Sequence, residues 1–457
     1  MKIFLPEIEI GPQEGFSPEK DIFKRSGLGK GLTNLIKSAD DSIVLAVDGE
    51  WGSGKTVFLK MWAGELRKLG FPVIYFDAFA HDYFDDAFLA IAGELIALAD
   101  EATRIDKGKL SDFKTKAGRA AKIIARASLK MGVRAVTLGA GKAEDLEGLA
   151  DALASEAGSL IDEHIGQLIT KQKEQKSTVS AFRDALSNLP ALLSVAVPNG
   201  QDQPVVKPLI FIIDELDRCR PDFALQILER MKHFFVVPNV HFVLGTNLKQ
   251  LSNSIAACYG GNIDANLYLQ KFVHLVFHLV DTNEHDVPTT VARYVSYLVK
   301  AHDVGNENQQ FIDGCAEELQ RIAQKTNLSL RTVQRIFSLI IIAVAFTQQR
   351  PSQFRSVITG LAIIKVVEPT LFAKAKTSSL RFTEIKDILG FSDEEENEKN
   401  YQLQWHLQCW RLTSDPNLPD DEVREILKGM HHLCNGNRFN LQSYFANKVL
   451  DHFELKD

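Results

Sequence analysis

Eight consecutive residues, Gly49-Glu50-Trp51-Gly52-Ser53-Gly54-Lys55-Thr56, carry the spacing G-x-x-x-x-G-K-[ST]. An apolar run precedes them, and Val57 follows at the start of a segment with apolar residues at helical spacing (Phe58, Met61, Trp62, Leu66). Glycines at such positions let the backbone curl so that successive N–H groups face one phosphate, and the N-terminus of the next helix adds its positive dipole end. From there the Lys55 ammonium reaches β- and γ-phosphate oxygens, and the Thr56 hydroxyl can take a place on Mg²⁺. Residues 49–57 are therefore the candidate nucleotide contacts; the bland alternative is a glycine-rich turn.

A second chemical element stands far downstream. Five apolar residues, Leu209 to Ile213, deliver Asp214 and Glu215 to the end of a strand. There Asp214 would hold the Mg²⁺ through water and Glu215 would polarise the attacking water, although a carboxylate pair at a strand end can also cap the next helix. The run HFVLGTN ends in Thr246 and Asn247, which could present a polar group to the γ-phosphate or simply make a turn. Arg331 and Arg335 lie one helical turn apart and could sense the γ-phosphate or face solvent. Arg218 and Arg220, just after the acidic pair, could reach nucleotide in cis or across a subunit boundary, or hold the loop by ion pairs. The expected catalytic set is Glu215, Lys55, Thr246 and Arg331, with Thr56 and Asp214 on Mg²⁺ and ATP as substrate.

These groups need a scaffold that brings strand ends together. Strands are expected at 42–49, 72–79, 208–215, 240–245 and 272–280, alternating with helices such as Phe223 to Phe235. Strands alternating with helices specify an α/β parallel sheet. From Val287 to about Val367 the pattern is helical; LIIIAVAF, from Leu339 to Phe346, reads as a buried helix. An acidic run, SDEEENEKN, separates it from a last helical section. The resulting division is an N-terminal segment (1–41), a first core part (42–105), a charged helical insert (106–204), a second core part (205–282), a helical lid (283–370) and a helical C-terminal region (371–457).

Residues 107–142 of the insert hold ten Lys or Arg and one acid, Asp112, whereas 143–163 hold seven acids and no Lys or Arg. Lys116, Arg119, Lys122, Arg126, Lys130 and Arg134 recur every three or four residues and share one helical stripe. This 116–134 stripe could pair with the acidic helix, or meet nucleic acid or an anionic membrane surface.

The composition of the 457-residue chain bounds the rest. With 45% apolar and 24% charged residues and a net charge of −7, it reads as a globular protein without general attraction to polyanions. Five scattered cysteines without a C-x-x-C pair argue against a disulfide scaffold or zinc ribbon and suit a reducing cytosol. The N-terminus reads as no signal peptide and no apolar run reaches membrane-spanning length, so a cytoplasmic protein, at most peripheral to a membrane, is expected. His81, Asp82, Asp85 and Asp86, and separately His431, His432 and Cys434, hold metal-like residue types without fixed ligand spacing.

Three stretches, GEWGSGKT, IIDELDRCRPDFALQILERMKHFFVVPNVHFVLGTN and YGGNIDANLYLQKFVHLVFHL, together with FDAFAHDYFDD, resemble the KAP family of P-loop NTPases over roughly residues 25–370, the insert excluded. The resemblance implies an additional-strand P-loop ATPase with its sensor strand between the Walker A and Walker B strands. Lys55 and Thr56 fall at the Walker A positions, Asp214 and Glu215 at Walker B. Family members often carry transmembrane helices between the two motifs; here a charged helical insert stands instead. With this site beside a helical lid, a conformational switch is expected, in which ATP binding orders the lid and hydrolysis releases it, with a protein partner or self-association; the resemblance further implies a role in bacterial antiviral defence or phage exclusion. A nucleic-acid-stimulated ATPase, a small-molecule kinase and a nucleotide-binding scaffold with little turnover are the rival readings.

Overall fold

The protein is described by a computed structural model over residues 8–39, 41–84, 86–101, 107–137, 158–193, 206–279, 289–303, 305–346, 354–392, 401–415, 417–419 and 440–451. Five strands, β1 (Val44–Asp48), β2 (Val73–Asp77), β3 (Leu209–Asp214), β4 (Val240–Thr246) and β5 (Leu275–His278), form an all-parallel sheet in the order β2-β3-β4-β1-β5. Every residue of β3 and β4 is buried, because a parallel sheet with helices on both faces leaves its central strands no polar side. The order places β4 between β1 and β3, the additional-strand arrangement. Its register sets Asp48 beside Thr246, Gly245 beside Asp214, and Asp214 beside Asp77. All the strand ends that carry polar residues therefore meet at one edge.

On one face, α1 (Ser26–Lys37) and α2 (Lys55–Lys68) bury Leu32, Phe58, Leu59, Trp62 and Leu66 against Leu45, Val47, Ile210 and Ile212. The opposite face is covered by α3 (Ala87–Glu101), two helices of the insert, α4 (Lys107–Thr137) and α5 (Gly158–Leu193), and then α6 (Pro221–Arg230) and α7 (Leu248–Tyr259). A third core belongs to α8 (Thr290–His302), α9 (Asn306–Lys325), α10 (Leu330–Phe346), α11 (Phe354–Val367), α12 (Pro369–Lys376) and α13 (Tyr401–Ser414). Ile340 to Val344 of α10 are buried there.

Two expected strands are shorter than their apolar runs. β2 stops at Asp77: Ala78 N–H still makes the last ladder bond to Asp214 O at 2.9 Å, and Phe79–His81 then turn as a 3-10 helix. β5 begins only at Leu275, since a turn from Phe272 N–H to Leu269 O (2.9 Å) precedes it. It lies at the sheet edge with Leu275 and Val276 exposed. The expected helix to Phe235 is α6 followed by a π-helical turn, Met231–Phe235.

The insert is tied into the core at its base. Phe113 of α4 and Phe182 of α5 are buried with Phe88 of α3 and Phe235 of the π turn, with ring centroids 5.0–6.3 Å apart. Truncating a fully buried aromatic such as Phe182 to Ala would cost ~3–5 kcal/mol. Arg183 of α5 donates Nη1 to His233 O and Nη2 to Val236 O, both at 2.9 Å, and so fixes the π turn. Phe113, Ala117 and Ala120 form the buried face of α4, while Arg119 and Lys122 are exposed on the other side and Lys116 pairs with Asp112 at 2.7 Å. The side chains of Arg126, Lys130 and Arg134, and those of the acidic block 143–163, lie outside the described residues. No helix among the described residues is long and apolar enough to cross a membrane.

Candidate functional site

The link from β1 to α2 holds residues 49–54. Gly52 and Gly54 adopt φ of +82° and +81°, a region open to glycine without steric cost. A Cβ at Gly52 would stand 3.1 Å from Cβ of Arg331, and one at Gly54 would meet the ring of Phe23 at 2.9 Å. The loop is thus pressed between α10 and the N-terminal segment. Lys55 folds back, donating Nζ to Gly49 O and to Glu50 O (3.2 Å). Burial holds its ammonium below the usual lysine range, against the pull of Asp217, Asp214 and Asp48. A cation of this kind, desolvated and held by its own loop, gains from the arrival of an anion.

Asp214, 1% exposed, accepts from Tyr75 Oη at 2.6 Å and from Glu215 N at 2.9 Å, and its carboxylate also takes a hydrogen bond from the Thr56 side chain. Burial pushes its carboxyl up in spite of these donors. The next residue, Glu215, has φ of +60°, uncommon for a side chain with Cβ. Its N–H donates to Gly245 O at 3.1 Å and its carboxylate pairs with Arg218 Nη1 at 2.7 Å. Burial raises its carboxyl; Arg218 opposes the shift and Asp214 adds to it.

At the end of β4 the Thr246 hydroxyl is fully buried and has no hydrogen-bond partner among the described residues; the same is true of Ser53 Oγ. Unmatched buried hydroxyls are costly and call for a partner. Asn247 instead caps α7, its side chain accepting from Gln250 N at 3.2 Å, which is the turn role. Arg331 lines the same cavity as Lys55, Thr56, Glu215 and Arg218, whereas Arg335, exposed one turn on, does not. Arg220 is engaged elsewhere, donating to Asp82 Oδ2, Asp82 O and Phe84 O.

The cavity has a volume of about 270 Å³. Its walls include groups that pattern reading did not single out: Ile22 and Phe23 before α1, Tyr294 and Tyr297 of α8, and Gln334 of α10. Tyr294 donates to Gln334 Oε1 at 2.9 Å and stacks on Tyr297 with centroids 6.1 Å apart. Arg293 Nη1 donates to Phe23 O at 2.7 Å, so α8 grips the N-terminal segment. Trp51 Nε1 donates to Asp217 Oδ2 at 2.5 Å, latching the turn after β3 to the loop. An aromatic-plus-amide wall beside a phosphate-type loop suits a planar heterocycle.

A family model described as the KAP family P-loop domain matches residues 25–345. The chain belongs to the KAP family. The KAP domain so defined contains the loop, both carboxylates, Thr246 and Arg331, while Ile22 and Phe23 lie just before it. Two solved structures of the Aeropyrum pernix ORC2 protein, one of ADPNP–ADP complexes and one of the ADP form, align at 10% identity with a TM-score of 0.35 each. They cover 92% and 96% of this chain and 95% and 97% of theirs; at that score the likeness adds nothing to the fold described above. No curated protein matches the chain.

No group of three or more His, Cys, Asp or Glu that could hold a metal is found among the described residues of the KAP domain and its flanks. His81 stacks on Phe76 at 4.6 Å and its Nδ1 meets Asp77 O at 2.7 Å, and Asp82 receives Arg220. Asp85, His431, His432 and Cys434 lie outside the described residues. The donor set that does fit a hard divalent cation is a phosphate-bound one: a buried carboxylate, Asp214, touching a threonine hydroxyl, Thr56.

Proposed function

We propose that this KAP domain binds ATP with Mg²⁺ and hydrolyses it, and that the helical unit following the sheet responds to the bound state. The observation that carries this is the convergence of Lys55, Thr56, Glu215 and Arg331 on one cavity, with the buried Asp214 in hydrogen-bond contact with Thr56. Lys55 leaves the loop carbonyls for the β- and γ-phosphates, with residues 49–54, Thr56 and Val57 around them. Thr56 and Asp214 would hold Mg²⁺, which would neutralise charge on the phosphate oxygens. Glu215 orients and deprotonates the attacking water, and Thr246 offers its unmatched hydroxyl at the neighbouring strand end.

Two features support a switch. The start of α10 lies so near the loop that a Cβ at Gly52 would stand 3.1 Å from Cβ of Arg331, a spacing through which α10 can read the loop. A second cavity of about 490 Å³ lies between Trp51 and Ser53 on one side and Asn327 to Leu330 on the other, room into which the helical unit can close. What the switch controls rests on family resemblance alone: antiviral defence or phage exclusion in a bacterial cytoplasm, with a protein partner or a second copy. Phosphate release from MgATP by the purified chain, without added acceptor, tests the proposal and separates it from the kinase reading. A Lys55→Ala chain that binds and turns over ATP like wild type would sink it.

A further inference from the structure

We infer that Arg218 is a two-position residue: it holds the Glu215 carboxylate in the nucleotide-free protein and passes to the γ-phosphate when a nucleoside triphosphate binds, releasing Glu215 to the attacking water. This rests on the ATP reading of the cavity. Of the two arginines that follow the acidic pair, Arg220 is bound to the 82–84 loop, and Arg218 is the one that lines the cavity beside Lys55 and Thr56. The turn that carries it, Leu216–Arg218, is closed by Arg218 N–H on Glu215 O at 3.0 Å and latched to the loop by Asp217 and Trp51. Its backbone therefore stays beside the phosphates whichever way the guanidinium turns.

Magnitudes favour the transfer. The Glu215–Arg218 pair is an i,i+3 contact with the arginine side chain 31% exposed, and pairs of that kind contribute only ~0–1 kcal/mol. A γ-phosphate carries more charge than a carboxylate and matches the guanidinium fork with two parallel hydrogen bonds. The Glu215 backbone stays in place meanwhile, its N–H held by Gly245 O and by Asp214 Oδ1. In the step served, a water oxygen bonds to the γ-phosphorus as the bond from that phosphorus to the β–γ bridging oxygen breaks. The bridging oxygen leaves on ADP; one water proton stays on the new phosphate, and the other passes to Glu215 and then to solvent.

The test compares wild type, Arg218→Ala and Arg218→Lys in the full chain, using calorimetry with MgADP and with MgATP whose γ-phosphate cannot be hydrolysed, and steady-state turnover. Arg218→Ala should bind ADP as wild type does, but lose ~10–100-fold of the advantage of triphosphate over diphosphate, the worth of one charge-assisted contact. Its kcat should fall by ~10³-fold or more, as when an arginine finger is removed, with Arg218→Lys in between. An Arg218→Ala chain that keeps the triphosphate advantage and turns over as fast as wild type, or faster, overturns the inference and leaves Arg218 as a clamp alone. Wild type that binds neither nucleotide would instead overturn the ATP reading beneath it.

Discussion

Tyr75 donates its hydroxyl to Asp214 at 2.6 Å, from a strand whose next-but-one residue, Asp77, is itself paired in register with Asp214. The phenol is held well above its usual range by burial and by the neighbouring Asp214 carboxylate, so it stays a donor at all working pH values. It aims the carboxylate and leaves the other oxygen for Glu215 N–H and, on the reading proposed above, for Mg²⁺. Tyr75→Phe keeps the ring and removes that aim. The Mg²⁺ concentration needed for half-maximal nucleotide binding should rise by ~10-fold or more, the usual cost of losing an outer partner of a metal ligand. An unchanged Mg²⁺ requirement in a titration monitored by nucleotide binding would show that Asp214 needs no such support.

Glu215→Gln should bind ATP and hydrolyse it ~10²–10⁴-fold more slowly, because an amide cannot take a proton while Asp214 and Thr56 remain in place. The stored φ of +60° is unaffected by the change, so melting should hold steady. Turnover within a few-fold of wild type would transfer the base role to another group.

The local parts of this site were legible because each is written in a few adjacent residues: Gly49 to Thr56 as one spacing, Asp214 and Glu215 as the end of an apolar run. The parts that were not legible come from far along the chain. Tyr75 meets Asp214 across 139 positions, Trp51 meets Asp217 across 166, and Arg293 meets Phe23 across 270. No periodicity encodes such pairings; they exist only once β2 lies beside β3 and α8 lies over the N-terminal segment. The same limit explains β5, whose apolar run is longer than the strand because an edge position lets a turn claim its first residues.

A buried polar cluster in the third core makes its stability depend on pH. Glu318 of α9 is 2% exposed and lies 3.4 Å from His406 Nδ1 of α13; His406 is also hydrogen-bonded to Ser356 of α11. Arg321, Arg355, Cys315 and Cys409 surround them. Burial pushes Glu318 up from 4.5 to about 7, opposed by Arg321 and Ser356. Burial, with Arg321 and Arg355, pushes His406 down from 6.5 to about 4. A raised carboxyl means that the folded state holds a proton the unfolded state has released, so this group lowers stability as pH rises from 4.5 through 7. The lowered histidine acts the other way, lowering stability as pH falls from 6.5 through 4. Between these values the two pH slopes oppose each other while the two penalties add, and above pH 7 the Glu318 penalty stands alone at about 3 kcal/mol. Glu318→Gln should therefore melt higher than wild type at pH 8, with the gap shrinking toward pH 5. A gap of equal size at both pH values would mean that Glu318 does not titrate in this range.

Arg331 and Arg335 sit one turn apart on α10, and only the first lines the cavity. Helical spacing alone cannot choose between them; the rotation of α10, fixed by burial of Val333, Ile336, Phe337 and Ile340 in the third core, does. A Cβ at Gly52 would stand 3.1 Å from Cβ of Arg331, so the start of α10 lies close against the loop and Arg331 lines the cavity from the helical unit. If it senses the γ-phosphate there, Arg331→Ala should weaken triphosphate binding by ~10-fold or more, in line with loss of a hydrogen bond to a charged partner, and slow turnover with it. It should also abolish any ATP-dependent protection of the helical unit against proteolysis, since the link between phosphate and α10 is gone. Arg335→Ala, equal in charge and helix propensity, should change none of these. Equal effects from both substitutions would mean that the net charge of α10, and not a contact at the cavity, governs nucleotide binding.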